Sequence, residues 1–389
     1  MYSCIIIGIS DRRKQWFPPE IMEIIAKGTV FSGGKRHYEI MKSYLPAQAK
    51  WIEITAPLSE VFTQYKDFDN IVIFASGDPL FYGFAATVQR EIPNIRMKVY
   101  PSFNSLQMLA HRMNLPYQDM RMVSLTGRPW DKFDEALIKG EPLIGCLTDK
   151  NKTPQVIWQH MVEYGYDNYE MTVGENLGNE ETEQVGVFDP EKKYANPNCL
   201  ILKQKERRMH PLGIPESEFH LLNGRAKMIT KMPIRLLSLS LLDLQEKTSF
   251  WDIGFCTGSV SIEAKFQFPH LHITSFEIRE EGKDLMEKNC HKFGAPGITT
   301  VIGDFLEADL TNYPAPDAVF IGGHGGRLKE IIAKVKEVML PGACIVFNSV
   351  SAESRQLFED SVASAGMRII HTTRIAIDEF NPISILKAE

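Results

Sequence analysis

The fold of this 389-residue chain is decided by the stretch Ser249-Phe-Trp-Asp-Ile-Gly-Phe-Cys-Thr-Gly-Ser-Val-Ser-Ile-Glu-Ala264. Its opening apolar run, which ends in Asp252-Ile-Gly254, predicts a buried strand. Gly254 and Gly258 predict a tight turn, and residues 259–266 predict a helix. A strand, a glycine turn and a helix in that order place backbone N–H groups and a helix N-terminus against a ligand. The stretch therefore predicts a ligand site at the carboxyl end of a strand.

Two further predicted strands also end in acidic residues. The segment His272-Ile-Thr-Ser-Phe-Glu277 predicts a second strand that ends in a carboxylate. Glu277 follows Gly254 at close to the spacing, about 20 residues, at which an acidic side chain after strand two binds a ribose. A third predicted strand, residues 299–304, ends in Gly303-Asp304. A turn of this kind can also bind nothing, but the agreement of three strand ends favours a nucleoside-binding site.

The spacing of the glycines narrows the choice of nucleoside. A nicotinamide or flavin site has the pattern G-x-G-x-x-G, whereas this chain has Cys256 and Ser259 at its second and third glycine positions. The stretch resembles the Rossmann-like methyltransferases, which bind S-adenosylmethionine through a G-x-G-x-G turn; Cys256 replaces the middle glycine. In that family the acid after strand two holds the ribose, and the acid after strand three faces the adenine. The resemblance implies these cofactor-binding residues: Thr230, Gly254, Phe255, Cys256, Thr257, Gly258, Glu277, Asp304 and Phe305.

Composition and charge argue against several classes of protein. The length exceeds one ordinary core and predicts two or three domains. The net charge of −6 offers no field that would attract nucleic acid or an acidic membrane. The six cysteines form no C-x-x-C pair, which argues against a zinc site or a disulfide framework and indicates a reducing cytoplasm. No apolar run approaches about 18 residues, so we expect no membrane span.

The first half of the chain alternates predicted strands with predicted helices, which indicates a second α/β region. One strand leads into the segment Ser76-Gly-Asp-Pro-Leu-Phe-Tyr-Gly83, in which Gly77 permits close backbone approach and Pro79 stiffens the loop. The predicted strands span residues 4–9, 29–34, 51–55, 70–75, 97–100, 122–128, 142–147, 169–173 and 199–203.

Six segments of this half resemble, in the same order, the tetrapyrrole methylases of the cobalamin pathway. They are Ser32-Gly-Gly-Lys-Arg-His37, Ser76-Gly-Asp-Pro-Leu-Phe-Tyr-Gly83, Pro101-Ser-Phe103, Ser124-Leu-Thr-Gly-Arg128, Leu147-Thr-Asp149 and Gly174-Glu-Asn-Leu-Gly178. The resemblance is strongest to the member that methylates carbon 5 of the corrin precursor. This family is two-lobed and binds S-adenosylmethionine between its lobes; its glycine-rich first loop is replaced here by residues 8–17. The resemblance implies cofactor contacts from Gly77, Asp78, Pro79, Leu80, Ser102 and Thr126.

Residues 203–215 are polar, charged and proline-bearing, which predicts a linker with a solvated basic cluster. Three segments at or beyond its end resemble the decarboxylating methyltransferase that acts at carbon 15 of the same substrate. They are Gly213-Ile-Pro-Glu-Ser-Glu-Phe219, Lys227-Met-Ile-Thr-Lys231 and residues 317–327. We therefore predict two domains, a two-lobed tetrapyrrole methylase fold at residues 1–206 and a Rossmann-like class I methyltransferase sheet at residues 212–389.

The two resemblances together imply a bifunctional enzyme of cobalamin biosynthesis. It would methylate carbons 5 and 15 of a corrin precursor and decarboxylate an acetate side chain. They imply one S-adenosylmethionine per half and a tetrapyrrole partner rich in carboxylates. We expect no metal cofactor, no nucleic-acid or membrane partner, a homo-oligomer and a cytoplasmic location.

Methyl transfer from a sulfonium requires orientation more than acid–base catalysis, because the cofactor carries its own leaving group. The conjugated ring can act as the electron sink for decarboxylation, which leaves the enzyme to desolvate and orient a carboxylate. His324, flanked by glycine pairs at a strand end, and Lys231 are the candidates for roles beside the substrate. Candidate cations for the substrate carboxylates are Lys35, Arg36, Arg128, Arg225, Lys227, Lys231, His324 and Arg327.

Two alternative functions stay open at this point. A nucleic-acid methyltransferase would have a basic face and usually an Asn/Asp-Pro-Pro-aromatic motif after strand four, where this chain has Phe320-Ile-Gly-Gly-His-Gly-Gly326. A non-catalytic protein that senses a nucleotide would keep the cofactor turn without turnover. Cys256 and the altered first loop are the features that such a protein would show.

Overall fold

The structure is a computed structural model and describes residues 3–222, 228–377 and 382–389. The chain divides into two compact units. The first unit comprises Met1–Arg128, Pro142–Trp158 and Tyr169–Lys205, and the second comprises Pro129–Glu141, Gln159–Asn168 and Glu206–Glu389. Both units combine helices with a sheet that is wholly or largely parallel, and the first unit adds a mixed sheet, so the predicted α/β class is confirmed. Within the described residues, no helix is long and apolar enough to cross a membrane.

The first sheet of the first unit is parallel, because a helix connects each of its strands to the next. The strands are β1 (Ser3–Ile9), β2 (Val30–Gly33), β3 (Lys50–Glu53), β4 (Asn70–Ser76) and β5 (Arg96–Tyr100), in the order β3-β2-β4-β1-β5. The central strands β1 and β4 are almost continuously apolar, as suits strands that are covered on both faces. Their carboxyl ends therefore open at one edge, where the predicted cofactor loop follows β4.

The second sheet of the first unit is mixed. Its strands are β6 (Arg121–Ser124), β7 (Leu143–Leu147), β8 (Tyr169–Glu175), β9 (Gln184–Val187) and β10 (Asn198–Gln204), in the order β6-β7-β10-β8-β9. The strand predicted at residues 122–128 ends earlier, because Arg128 N–H bonds to the Leu125 carbonyl in a turn that contains Gly127 at φ 60°. The sequence gives no signal for β9, an edge strand whose residues are all exposed.

The sheet of the second unit has five parallel strands and an antiparallel hairpin among the described residues. The strands are β11 (Ser249–Ile253), β12 (His272–Glu277), β13 (Ile298–Ile302), β14 (Ala318–Ile321), β15 (Cys344–Ser349), β16 (Ile369–Ile375) and β17 (Ile383–Ala388), in the order β13-β12-β11-β14-β15-β17-β16.

The strand order of this sheet reverses at β11, which pairs with β12 on one side and with β14 on the other. The chain runs outward through β12 and β13 and then crosses back to β14. Apolar clusters around Trp251 and around Phe250 cover the two faces of the sheet. Ligands of open α/β sheets bind at the carboxyl ends of the strands beside such a reversal, so the fold directs attention to that edge.

Helices connect and cover the strands. They are α1 (Pro19–Lys27), α2 (Lys35–Met41), α3 (Leu58–Tyr65), α4 (Phe84–Glu91), α5 (Ser105–Arg112), α6 (Asp131–Lys139), α7 (Pro154–Glu163), α8 (Met232–Leu241), α9 (Ser259–Gln267), α10 (Glu281–Phe293), α11 (Leu328–Val338) and α12 (Ala352–Ser364). Local chemistry sets several ends: Asn104 accepts the Gln107 N–H at the start of α5, and Gly294 ends α10 at φ 80°.

A fully buried ion pair joins α8 to α9. The Nε of Arg235 lies 3.2 Å from Oε2 of Glu263, and burial lowers the pKa of the arginine. Glu263 also accepts the N–H groups of Gly213 and Ile214 at 2.8 and 3.0 Å, while Arg235 donates to the Thr230 carbonyl at 2.9 Å. The pair therefore fixes the segments on either side of the undescribed residues 223–227.

The basic cluster of the predicted linker is not simply solvated. Arg208 donates to the carbonyl oxygens of Tyr164, Gly165 and Phe293 at 2.6, 2.8 and 2.9 Å, and its guanidinium lies over the Tyr166 ring. The expectation of a solvated cluster is wrong for this residue. Polar composition predicted exposure, but an arginine fork can satisfy several carbonyls at once when it is partly buried.

Candidate active site

A cleft of about 820 Å³ opens at the carboxyl ends of β11, β12 and β14 in the second unit. Most residues predicted for this half line it: Thr230, Lys231, Gly254, Phe255, Cys256, Thr257, Glu277, Asp304, Phe305, His324 and Arg327. Gly258 does not line the cleft; it precedes α9 at φ 75°. Arg225 and Lys227 lie outside the described residues.

The glycine turn after β11 brings two backbone segments together. A Cβ on Gly254 would lie 2.6 Å from the backbone nitrogen of Gly323, and Gly254 has φ 77°. Cys256 has φ 51°, in the left-handed region where its family usually has glycine. Burial, with Glu277 nearby, raises the pKa of the Cys256 thiol to about 11, so the sulfur is protonated and poorly nucleophilic at neutral pH.

Glu277 is buried at the end of β12, and both of its oxygens face backbone donors. Its Oε2 accepts the N–H of Cys256 at 3.0 Å, and its Oε1 accepts the N–H of Arg279 at 3.1 Å. The Arg279 guanidinium lies 3.3 Å from the same Oε1. Oε1 thus already accepts two hydrogen bonds, whereas Oε2 can accept a second one. The carboxylate is therefore fixed in place, with acceptor capacity left for a ligand at Oε2.

Asp252 is a fully buried carboxyl group beside the turn. Its Oδ2 accepts the hydroxyl of Ser261 at 2.6 Å, while its Oδ1 has no hydrogen-bond partner among the described residues. Burial raises the pKa of Asp252 to about 7, although Ser261 acts in the opposite direction. The sequence placed this residue at the end of the strand but did not assign it to the site.

Asp304 and Arg327 both line the cleft and form an ion pair. Asp304 also accepts the Leu306 N–H at 3.0 Å, and the hydrogen bond from Arg327 lowers the pKa of this aspartate. Arg327, predicted as a cation for the substrate, is therefore already engaged by a carboxylate within the chain.

His324 follows β14 and lies 5.8 Å from the Phe347 ring, centroid to centroid. Its Nδ1 accepts the N–H of Gly326 at 3.2 Å, and burial lowers the pKa of the imidazole. The neutral ring consequently carries its hydrogen on Nε2 and can act as a donor in the cleft.

A smaller cleft of about 410 Å³ lies in the first unit. We call it the first cleft, and the cleft of the second unit the second cleft. Of the six cofactor residues predicted for the first half, Gly77 lines the first cleft. A Cβ on Gly8 would lie 2.0 Å from the Gly77 carbonyl oxygen, so the end of β1 and the loop after β4 touch through backbone.

The other five predicted residues lie on loops around this cleft. Asp78 accepts the Leu80 N–H at 2.9 Å, and the Pro79 carbonyl accepts the Ala85 N–H at 3.0 Å. The Ser102 N–H donates to the Gly77 carbonyl at 3.2 Å, and the Thr126 hydroxyl donates to the Thr148 carbonyl at 2.9 Å. None of these five residues lines the cleft, and their hydrogen bonds hold the loops in shape.

The first cleft contains side chains that the sequence did not assign to the cofactor or to catalysis. Asp11, His37 and Ser76 line it together with Arg36, which was predicted as a substrate cation. Lys35 is exposed and does not line the cleft. The predicted cation Arg128 lies over the Tyr82 ring, 4.9 Å from its centroid, and Tyr82 lines the cleft. His37 and Ser76 each lie in a segment that resembles the tetrapyrrole methylases. That resemblance was the signal from which the sequence could have assigned them to the cleft.

Comparison with known proteins supports the family resemblance that the sequence showed for each half of the chain. A model described as a precorrin methyltransferase domain matches residues 223–388, and one described as tetrapyrrole (corrin/porphyrin) methylases matches residues 4–189. A Sinorhizobium protein named precorrin-6Y C(5,15)-methyltransferase [decarboxylating] is 29% identical over 97% of this chain and 91% of its own.

Two further relatives each match less than half of this chain. The cobalt-precorrin-6B C(15)-methyltransferase (decarboxylating) of Salmonella typhimurium is 32% identical over 42% of this chain and 83% of its own. The crystal structure of precorrin-6y C5,15-methyltransferase from Geobacter metallireducens is 32% identical and covers 46% of this chain and 99% of its own, with a TM-score of 0.43. With both halves matched in one chain, the protein belongs to the family of decarboxylating precorrin-6Y C5,15-methyltransferases.

Proposed function

We propose that this chain transfers methyl groups from S-adenosylmethionine to carbons 5 and 15 of a carboxylate-rich corrin precursor and removes carbon dioxide from an acetate side chain. The observation that carries the proposal is that each unit has its own cleft at the carboxyl ends of parallel strands, with a glycine turn in the wall. Two transfers at two carbons call for two such sites. The name of the Sinorhizobium relative describes methylation at both carbons with decarboxylation, and the name of the Salmonella typhimurium relative describes the decarboxylating methylation at carbon 15.

One cofactor is proposed for the second cleft, because the residues there fit it. Gly254 and Gly323 approach each other through backbone atoms alone, which leaves space for a ligand that side chains at these two positions would occupy. Oε2 of Glu277 has acceptor capacity left for a ribose hydroxyl, and Asp304 with Phe305 stands at the next strand end for the adenine. Bound S-adenosylmethionine supplies an electrophilic methyl group with a good leaving group. The chain's part is to hold that group in line with the accepting carbon, which can contribute about 7–11 kcal/mol.

A second cofactor is proposed for the first cleft. The close approach of Gly8 to Gly77 supports this, since it leaves backbone rather than side chains at the cleft wall. Asp78, Pro79 and Leu80 would give the loop its shape, and Ser102 and Thr126 would complete the binding loops. Their hydrogen bonds to neighbouring backbone groups support a role in preorganisation.

His324 and Lys231 are proposed to act on the substrate in the second cleft. The Nε2–H of His324 would donate to an oxygen of the acetate side chain, and Lys231 would supply positive charge beside it. Part of the cleft wall is apolar, with Val350, Ile375 and Ile377. Such a wall excludes water from a carboxylate and so favours the release of carbon dioxide, while the electron pair of the broken C–C bond passes into the conjugated ring.

The division of labour is proposed to follow the two domains predicted at residues 1–206 and 212–389. Residues 212–389 alone should bind one cofactor and add one methyl group with loss of carbon dioxide. They should melt below the full chain, because they lack Arg208, with its bond to Phe293, and two further segments of the second unit, Pro129–Glu141 and Gln159–Asn168. Residues 1–206 should then methylate the product of that reaction. A carboxy-terminal half that methylates without decarboxylating, seen by mass spectrometry, would contradict this division.

The function itself is tested on the full chain with S-adenosylmethionine and a corrin precursor that lacks both methyl groups. Mass spectrometry should show a gain of two methyl groups and a loss of one carbon dioxide, and the control without cofactor should show neither. Cofactor binding without any conversion would favour the non-catalytic alternative. Methylation of added RNA in place of the precursor would favour the nucleic-acid alternative.

A further inference from the structure

Three polar side chains meet at the carboxyl end of β4 in the first unit. Because β2 and β4 are parallel neighbours, the start of α2 lies beside the last residue of β4. Nη2 of Arg36 lies 2.8 Å from the Ser76 hydroxyl oxygen, and Nε2 of His37 lies 2.9 Å from it. All three residues line the first cleft.

The hydrogen of His37 can be assigned from its contacts. The N–H of Gly34 points to His37 Nδ1 at 3.2 Å, and a ring nitrogen accepts a hydrogen bond only when it carries no hydrogen. Burial and the nearby Arg36 lower the pKa of His37 to about 4, so the ring is neutral at physiological pH. The single ring hydrogen is therefore on Nε2, which donates to Ser76 and has the Phe74 carbonyl as a further acceptor.

The hydroxyl of Ser76 consequently receives two hydrogen bonds. Arginine has no acceptor atom, so Arg36 must also donate to Ser76 Oγ. With both lone pairs of the oxygen occupied, the hydroxyl hydrogen needs a third direction. Within the part of the chain that the structure describes, no group accepts that hydrogen, and the cleft is where a ligand can reach it.

We infer that Ser76 and Arg36 form a carboxylate-binding subsite in the first cleft, with His37 as the residue that orients the Ser76 hydroxyl. Ser76 would donate its hydrogen to the carboxylate, and Arg36 would add charge through N–H groups that it does not use for Asp11 and Ser76. The inference rests on the proposed function, because a tetrapyrrole carries carboxylate side chains. The carboxylate of the cofactor is a second source of the same chemistry.

Asp11 makes the inference sharper. Its Oδ2 accepts from Nη1 of Arg36 at 3.1 Å, so it places a competing negative charge beside the subsite. Replacing it by asparagine keeps an acceptor for Arg36 but removes the charge. A carboxylate should then bind more tightly, whereas a cationic group of a ligand would bind less tightly.

The test uses the full chain and two measurements, the KM for the tetrapyrrole in carbon-5 methylation and the Kd for S-adenosylhomocysteine by calorimetry. Ser76→Ala should raise the KM by about tenfold or more with kcat nearly unchanged, since it removes a hydrogen bond to a charged group. Asp11→Asn should lower the KM. Ser59→Ala, an exposed serine outside the cleft, is the control and should change neither value. A change in the Kd instead of the KM would identify the cofactor carboxylate as the occupant.

The role of His37 is tested by a measurement that a change in packing alone would not affect. His37→Phe should raise the KM as Ser76→Ala does, and His37→Gln, which restores a donor, should recover part of it, with kcat nearly unchanged in both. The inference is overturned if Ser76→Ala leaves both the KM and the Kd unchanged, or if Asp11→Asn weakens binding. If the wild-type chain does not methylate the precursor, the proposed function fails separately. Fluorescence titration with uroporphyrin, a porphyrin rich in carboxylates, then tests the subsite with the same variants.

Discussion

The two clefts hold their polar groups in different ways. In the second cleft the ends of neighbouring strands supply carboxylates, Asp252 from β11 and Glu277 from β12. In the first cleft β4 ends in a hydroxyl, Ser76, and the acid is Asp11 in the loop after β1. The second cleft is about 820 Å³ and the first about 410 Å³.

The difference shows what a parallel sheet does for a binding site. Neighbouring strands of one sheet lie a fixed distance apart, so acidic residues at their ends lie close together regardless of the loop conformations. Side chains from a loop and a helix, such as Asp11 and Arg36, meet because of how both are packed. Variants of the two clefts should therefore respond differently.

The largest effect on cofactor affinity is expected from the two glycines at the turns. Gly254→Ala would put a Cβ 2.6 Å from backbone and Gly77→Ala would put one 2.9 Å from the Asn104 Cα, both at positive φ. The left-handed backbone alone costs a non-glycine residue about 1–3 kcal/mol, so we expect a loss of cofactor affinity of about hundredfold or more in the mutated cleft.

Calorimetry should then count two cofactor sites in the wild type, one in each single variant and none in the double variant. Gly186→Ala is the matched control, because a Cβ there meets nothing within 4 Å. Loss of both sites in either single variant would show that the clefts are not independent.

The buried carboxyl group of Asp252 should make the second unit sensitive to pH. Its pKa of about 7 in the folded state lies above the ordinary value of 3.8, so the folded unit holds the proton more tightly than the unfolded chain. The free energy of unfolding should therefore fall as the pH rises from about 4 to about 7, by about 4 kcal/mol.

Hydrogen exchange of β11 between these pH values measures the effect, and Asp252→Asn should remove most of the difference. Exchange of β4 in the first unit is the internal control. Equal pH dependence in the wild type and in Asp252→Asn would refute the assignment.

A smaller effect is expected from Glu277. Glu277→Ala removes a charge-assisted contact to the ribose, worth about 1.5–3 kcal/mol, and should weaken the second site by more than about tenfold while the first stays unchanged. Glu277→Gln should lose less, because an amide oxygen can still accept the Cys256 N–H. Glu281→Ala, on the exposed start of α10, serves as the control. Unchanged affinity in both clefts of Glu277→Ala would mean that the ribose binds elsewhere.

The smallest effect is expected from Cys256→Gly. Glycine adopts the positive φ of residue 256 without strain, which stabilises the folded chain, but it also gives the unfolded chain more conformational freedom. The two effects on the free energy of unfolding should therefore cancel to within about 1 kcal/mol. Methylation at both carbons should continue, because a thiol with a pKa near 11 is not a nucleophile at neutral pH. Turnover lost in Cys256→Gly, Cys256→Ala and Cys256→Ser alike would point to covalent chemistry.

The sequence predicted the second cleft closely because its signals are local. A glycine turn after an apolar run, followed at the usual spacing by Glu277, needs no knowledge of distant contacts. Asp252 could have been added, since it precedes the first glycine of the turn. Its pKa could not, because that depends on how completely the surrounding chain excludes water.

The first cleft was predicted less fully for a physical reason. Gly77 was found because glycine before Asp-Pro marks a close backbone approach. The contacts of Ser76 with Arg36 and His37 depend on the pairing of β2 with β4, which residue spacing does not reveal. The exposed edge strand β9 was missed for a similar reason, since it lacks the buried alternation that marks a half-buried strand.

The ion pair of Arg235 and Glu263 has a consequence for how this chain can diverge. Replacing either residue alone would leave a buried charge without a partner, at a cost of about 3–5 kcal/mol. Replacing both by apolar residues would avoid the unpaired charge but would leave the N–H groups of Gly213 and Ile214 without their acceptor. Descendants of this sequence should therefore change the two positions together or keep both, and Gly213 should tolerate change only where its N–H still finds an acceptor.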